Sequence, residues 1–158
     1  MIRKSVRDLY KILKDKGMLG IAESFTGGAI CAEIVKHEGV SNFLEKAIVC
    51  YSYESKMDDL DVSRFVLKNY GAVSEQCASA MLDGLLNKHN CDFAIVTTGN
   101  AGPTAETDGE EGLCYIGIAT KNLRQVFKYQ FYGKRELVIN SGTAIALEKA
   151  VEFFKDLV

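Results

Sequence analysis

Little proline, little histidine and no closely spaced cysteine pair mark this sequence, and each shortage removes a class of protein. A single proline, Pro103, and the absence of any low-complexity tract argue against a disordered chain. Two histidines, His37 and His89, are too few for a His-rich metal site. The five cysteines (Cys31, Cys50, Cys77, Cys91, Cys114) are odd in number and show no CxxC spacing. That argues against a disulfide framework or a zinc site, and most of them read as small buried hydrophobes. No apolar run approaches the length of a spanning helix. The N-terminal "MIRKSVRDLYKILKDKG" threads charges through its apolar positions and so does not read as a signal peptide. A cytoplasmic location is expected. The net charge is −2 and no Lys/Arg cluster dominates a segment, which argues against a nucleic-acid or membrane surface. A local cationic site for one small charged ligand remains open.

What is present is ordinary for a globular domain: 158 residues, 47% hydrophobic and 25% charged, read as one domain over 1–158. Val6, Leu9 and Leu13 make one helical stripe that Gly17 ends. "LGIAE" (19–23) reads as a short strand, and residues 27–37 as a helix with Ile30, Ile34 and Val35 on one side. "KAIVCYSY" (46–53) reads as a strand covered on both faces, followed by a turn or short helix at "ESKMDD". A short helix over 61–71 closes at Gly71, and Ser74 caps a further helix running to about 89. "DFAIVTTG" (92–99) is a second buried strand, and 100–112 a polar loop long enough to suggest function. "LCYIGIAT" and "RQVFKYQFYG" pair as a hairpin across "KNL". Leu137, Ala144, Leu147, Val151, Phe154 and Val158 stripe a long last helix. The order predicts a three-layer α/β/α sandwich on a mixed sheet, with ligands collecting where strand ends turn into helices.

Four stretches carry candidate chemistry. In "AESFTGG", Gly27 and Gly28 stand at a strand-to-helix junction beside Ser24 and Thr26, where backbone N–H groups and the helix dipole favour an anion. The motif is neither a phosphate loop nor a dinucleotide fingerprint, and it also reads as an ordinary capped turn. "VSNFLEKAIVCYSYESK" holds Ser41, Tyr51 and Lys56. A lysine takes a serine proton when burial or positive neighbours draw its pKa down, and a tyrosine relays a proton or holds an oxyanion. A strand of this length carries the chain about 20–25 Å, so Ser41 and Lys56 meet only if the flanking loops fold back. On spacing alone the trio also reads as a capping serine, a core tyrosine and a surface lysine. In "VTTGNAGPT", Thr97, Thr98, Gly99 and Gly102 follow a buried strand and can face a ligand or simply make a turn. In "YGKRE", Lys134 and Arg135 start the last helix against its dipole, which an anionic partner would justify, as would pairing with Glu136.

Together "AESFTGG", "GVSNF", "VCYSYESK", "YGAVSEQCASAM", "VTTGNAGP" and "FYGKRE" resemble, in order and spacing, the CinA C-terminal-domain family over about residues 5–155. The resemblance implies hydrolysis of the carboxamide of nicotinamide mononucleotide to nicotinate mononucleotide and ammonia, in pyridine-nucleotide salvage, without metal or other cofactor. It implies Ser41 as nucleophile, Lys56 as base and then acid, and Tyr51 and Ser24 orienting protons or the oxyanion. Thr98, Gly99 and Arg135, with Thr26, Gly27 and Gly28, would hold the rest of a pyridine mononucleotide. A homo-oligomer is expected. The sequence departs from the family pattern at Phe25, Val40, Tyr53, Asn100 and Ile139, and in the acidic stretch 104–111. Phe25 and Tyr53 would add bulk near the pocket, and Asn100 and the acidic loop polarity and negative charge. These departures keep two alternatives in view: a nucleotide-binding or regulatory member with impaired turnover, and a hydrolase of another small carboxamide.

Overall fold

A computed structural model describes residues 1–104 and 110–157. Five strands form one mixed sheet in the order β2-β1-β3-β4-β5. The strands are β1 (Leu19–Glu23), β2 (Leu44–Val49), β3 (Phe93–Gly99), β4 (Leu113–Thr120) and β5 (Arg124–Gln130). β1 runs parallel to both β2 and β3, whereas β4 is antiparallel to β3 and to β5. The helices are α1 (Ile2–Leu13), α2 (Ala29–Ile34), α3 (Tyr53–Leu60), α4 (Arg64–Tyr70), α5 (Glu75–Asp83) and α6 (Arg135–Lys155).

The pleat sorts the sheet's side chains into two unlike faces. Leu19 and Ile21 of β1 and Phe93 and Ile95 of β3 point to a core shared with Leu9 and Leu13 of α1, Ile30 of α2, and Leu147 and Phe154 of α6. Ala22, Ala94, Val96 and Ala119 point the other way, against Leu60, Leu67, Met81 and Leu82 of α3, α4 and α5. The second face is small in volume and lets α5 sit close. A Cβ on Gly117 would come within 2.9 Å of Leu82. These two cores give the three-layer α/β/α sandwich expected from the sequence.

Several boundaries differ from expectation. β2 stops at Val49, and Tyr53 already opens α3 behind the capping box of Ser52 and Ser55. β2 is also an edge strand with exposed residues along it, not a strand covered on both faces; Val49 is 52% exposed. Its apolar centre reflects edge packing rather than burial. Val35 is exposed past the end of α2, and in α6 the inward place beside Leu137 is taken by Val138. The helix from Ser74 continues through a π turn over Gly84–Lys88. Val158 and residues 105–109 of the acidic loop lie outside the described residues.

Candidate active site

Parallel strands end together, and the site lies at the shared C-terminal ends of β1, β2 and β3. In β1 and β3, Glu23 is level with Thr97, so the next residues, Ser24 and Thr98, are neighbours on the α3–α5 side. The capping box at Ser52 starts α3 at once after β2, and its first turn carries Lys56 back over the strand ends. Lys56 is only 1% exposed. Its Nζ lies 3.0 Å from Ser24 Oγ, 2.8 Å from the Cys50 carbonyl and 3.0 Å from the Tyr51 carbonyl.

A cavity of about 230 Å³ opens over this pair. It is lined by Ser24, Tyr51, Lys56, Ala72, Val73, Thr98, Gly99, Asn100, Ala101, Thr104 and Arg135. Thr98 Oγ1 donates to the Ala72 carbonyl at 2.6 Å, so its lone pairs remain for the cavity. Arg135, the first residue of α6, donates to the Gly102 carbonyl at 2.7 Å and to the Tyr51 hydroxyl at 3.0 Å. The Tyr51 proton is thereby directed away from the guanidinium. Beside Lys56, Cys50 is buried against the Glu23 carbonyl; desolvation pushes its thiol up to about 11, partly offset by the lysine.

Six expected site residues therefore share one cavity: Ser24, Tyr51, Lys56, Thr98, Gly99 and Arg135. Four do not line it. Ser41 lies in a single 3₁₀ turn before β2, at the N-terminal ends of the strands. Leu44 at the start of β2 pairs with Leu19 at the start of β1, whereas Ser24 and Lys56 meet beyond their far ends. About 16 Å of strand intervenes, and the flanking loops do not fold back to close it. Within this chain the serine held by Lys56 is Ser24, not Ser41. Thr26, Gly27 and Gly28 also lie outside the cavity, for a different reason. The anion site at the start of α2 is filled by the chain itself. Glu23, 1% exposed, accepts from Thr26 Oγ1 and the Ile30 amide on Oε1 and from the Cys31 amide on Oε2.

The departures from the family pattern sort in the same way. Phe25 is buried with Ala101, Cys114 and Val138, and Ile139 packs against that group. Room for the Phe25 ring comes from Gly142, where a Cβ would lie 2.5 Å from it. Neither Phe25 nor Tyr53 narrows the cavity, whereas Asn100 and Thr104 do line it. Val73, Ala101 and Thr104 were absent from the expected set because a wall residue leaves no chemical mark in the sequence. Glu23 left one: a lone acidic residue between the apolar strand and the glycine turn.

An α/β domain with a buried lysine on a serine hydroxyl, in a polar cavity at its strand ends, is the class that this geometry defines. A family model described as the CinA C-terminal domain matches residues 3–154, and the chain belongs to that family. It is 42% identical over 142 residues to a Caldicellulosiruptor saccharolyticus protein named as competence-damage inducible, covering 89% of this chain and 34% of that one. A CinA-like protein of Syntrophotalea carbinolica is 38% identical over 143 residues, covering 89% and 35%. The chain thus spans about a third of the length of the curated relatives it matches. Among solved structures, a CinA superfamily protein from Klebsiella pneumoniae superposes with a TM-score of 0.93 at 26% identity, covering 99% of both chains. No helix among the described residues is long and apolar enough to cross a membrane.

Proposed function

We propose that this domain is an amidohydrolase that converts nicotinamide mononucleotide to nicotinate mononucleotide and ammonia, with Ser24 as nucleophile and Lys56 as its base. The observation that carries this reading is the set of oxygens around Lys56 Nζ. Nζ lies 3.0 Å from the Ser24 hydroxyl and is oriented by the Cys50 and Tyr51 carbonyls at 2.8 and 3.0 Å, so the amine stands within proton-transfer distance of the one hydroxyl proposed to react.

In the proposed reaction Ser24 Oγ attacks the carboxamide carbon as its proton passes to Lys56. The tetrahedral intermediate collapses, the C–N bond breaks, and Lys56 returns the proton to the departing nitrogen, releasing ammonia. Water then attacks the acyl-serine ester as its proton passes to Lys56, the C–Oγ bond breaks, and Lys56 returns that proton to Ser24 Oγ, releasing the carboxylic acid and restoring both groups. Thr98, whose own proton is committed to Ala72, offers an acceptor to the carboxamide N–H₂. The Tyr51 hydroxyl, accepting from Arg135, keeps a proton to donate. The cavity is smaller than the ~300–1,000 Å³ of sites that enclose a whole drug-sized ligand. A mononucleotide would therefore place its pyridine end inside and its phosphate outside, over the exposed guanidinium of Arg135.

The test is ammonia release from nicotinamide mononucleotide by the folded wild-type chain, Ser24→Ala and Lys56→Ala. Release by the wild type that falls about a thousandfold in each variant is expected. Wild-type rates in Lys56→Ala, or none from folded wild type, would reject the reading. One observation favours a second reading, binding with impaired turnover: Ser41, the nucleophile implied by family resemblance, stands at the other end of the sheet. Nucleotide binding without ammonia release would select it.

A further inference from the structure

Behind Ser24, on the opposite face of the sheet from the cavity, runs a chain of hydrogen bonds whose direction is fixed throughout. It ends on Glu23. The two carboxylate oxygens receive three donors: the Thr26 hydroxyl at 2.7 Å, the Ile30 amide at 2.9 Å and the Cys31 amide at 3.1 Å. A carboxylate only accepts, so the Thr26 proton points at Glu23. Thr26 Oγ1 lies 2.8 Å from Thr97 Oγ1, and that bond must then be donated by Thr97. With its proton spent, Thr97 Oγ1 turns a lone pair to the Ser24 amide, 3.3 Å away, which also meets the Thr97 carbonyl at 3.1 Å. Glu23, Thr26 and Thr97 are all 3% exposed or less. Thr97 and Thr26 touch no part of the cavity.

We propose that Glu23 is a positioning residue for Ser24, acting through Thr26 and Thr97. The chain fixes the backbone from which Ser24 reaches Lys56, and it draws on the same carboxylate that starts α2. A helix cap alone needs only the bonds to Ile30 and Cys31. The two threonine hydroxyls extend that cap across to β3 and up to the amide of the reacting residue. This inference rests on the reading of Ser24 as the reacting hydroxyl.

Thr97→Val separates the two roles, because it cuts the link to Ser24 and leaves all three donors on Glu23 in place. Thr97→Ser restores the hydroxyl. Two quantities are measured for wild type and both variants: kcat and KM for ammonia release from nicotinamide mononucleotide, and the hydrogen-exchange rate of the Ser24 amide. In Thr97→Val kcat is expected to fall about 10- to 100-fold with KM unchanged, with faster exchange at Ser24. Thr97→Ser is expected to return both to near wild-type values. Wild-type kcat in Thr97→Val, or unaltered exchange at Ser24, overturns the proposal. If the wild type shows no turnover, the amidohydrolase reading fails by itself. The exchange rate then still decides the positioning: faster exchange at Ser24 in Thr97→Val supports it and unaltered exchange overturns it.

Discussion

The guanidinium of Arg135 donates to the Tyr51 hydroxyl at 3.0 Å, joining the start of α6 to the loop that follows β2. The two residues are 84 positions apart in the chain. The bond forms the exposed rim of the cavity, with Lys56 and Ser24 at its floor. Each of these levels answers differently to substitution.

At the rim, Arg135→Ala is expected to raise KM for a phosphorylated substrate about tenfold or more while changing kcat little. Tyr51→Phe removes one exposed hydrogen bond, so thermal stability should move by no more than about 0.5 kcal/mol. Steady-state kinetics beside a thermal melt checks both. Equal KM for wild type and Arg135→Ala would remove the phosphate from this rim.

At the floor, Ser41→Ala should leave ammonia release within about twofold of wild type, since the strand separates Ser41 from Lys56. Ser24→Ala should abolish it. Lys56→Met should also melt earlier, because the Cys50 and Tyr51 carbonyls lose their donor inside the protein, a loss of about 1–3 kcal/mol. Loss of activity in Ser41→Ala with Ser24→Ala active would reverse the assignment.

The buried thiols set an alkaline limit. Desolvation raises Cys114 from 9.0 to about 12, and Cys50 from 9.0 to about 11. A group whose folded pKa lies above its unfolded value favours the fold below the unfolded pKa. That contribution is lost as pH climbs from about 9 towards the folded value. Each thiol should add a decline of about 1.4 kcal/mol per pH unit across its window. Denaturant melts of wild type and Cys114→Ala between pH 8 and 11 give the check: the variant's slope should be shallower by that amount. Identical slopes would mean that Cys114 ionises freely in the fold.

Gly84 controls where α3 lies. A Cβ there would fall 2.3 Å from the Leu60 carbonyl and 2.7 Å from its Cα, both backbone atoms that cannot swing aside. Gly84→Ala is expected to destabilise by about 1–3 kcal/mol and to lower activity, because α3 carries Lys56. A melt and an activity assay on the one variant suffice. Unchanged values for both would show that α3 yields without disturbing the lysine.

The sequence disclosed the sheet more readily than the site. "LGIAE" and "DFAIVTTG" are apolar on both faces because they are interior strands, and "LCYIGIAT" with its partner pairs locally. β2 misled because an edge strand made of Leu, Ala, Ile and Val reads like a buried one. Six of the ten expected site residues share a cavity because they sit at or beyond the C-terminal ends of strands that run in one direction. Ser41 was misplaced because likeness of motif carries no information about which end of a strand a loop occupies. After the Gly27–Gly28 turn, the place expected for a ligand anion at the start of α2 holds a side-chain carboxylate. The occupant, Glu23, lies four residues upstream of Gly27, and only the pleat shows that its side chain turns back into the helix start.

The antiparallel return of β4 has a practical consequence. Because β4 runs against β3, the 121–123 turn of the β4–β5 hairpin emerges at the sheet end opposite the cavity. A fluorescent reporter or an affinity handle spliced into that turn would leave the ligand entrance unobstructed. The hairpin is therefore the natural port for tethering this domain to a surface while its substrate chemistry is assayed.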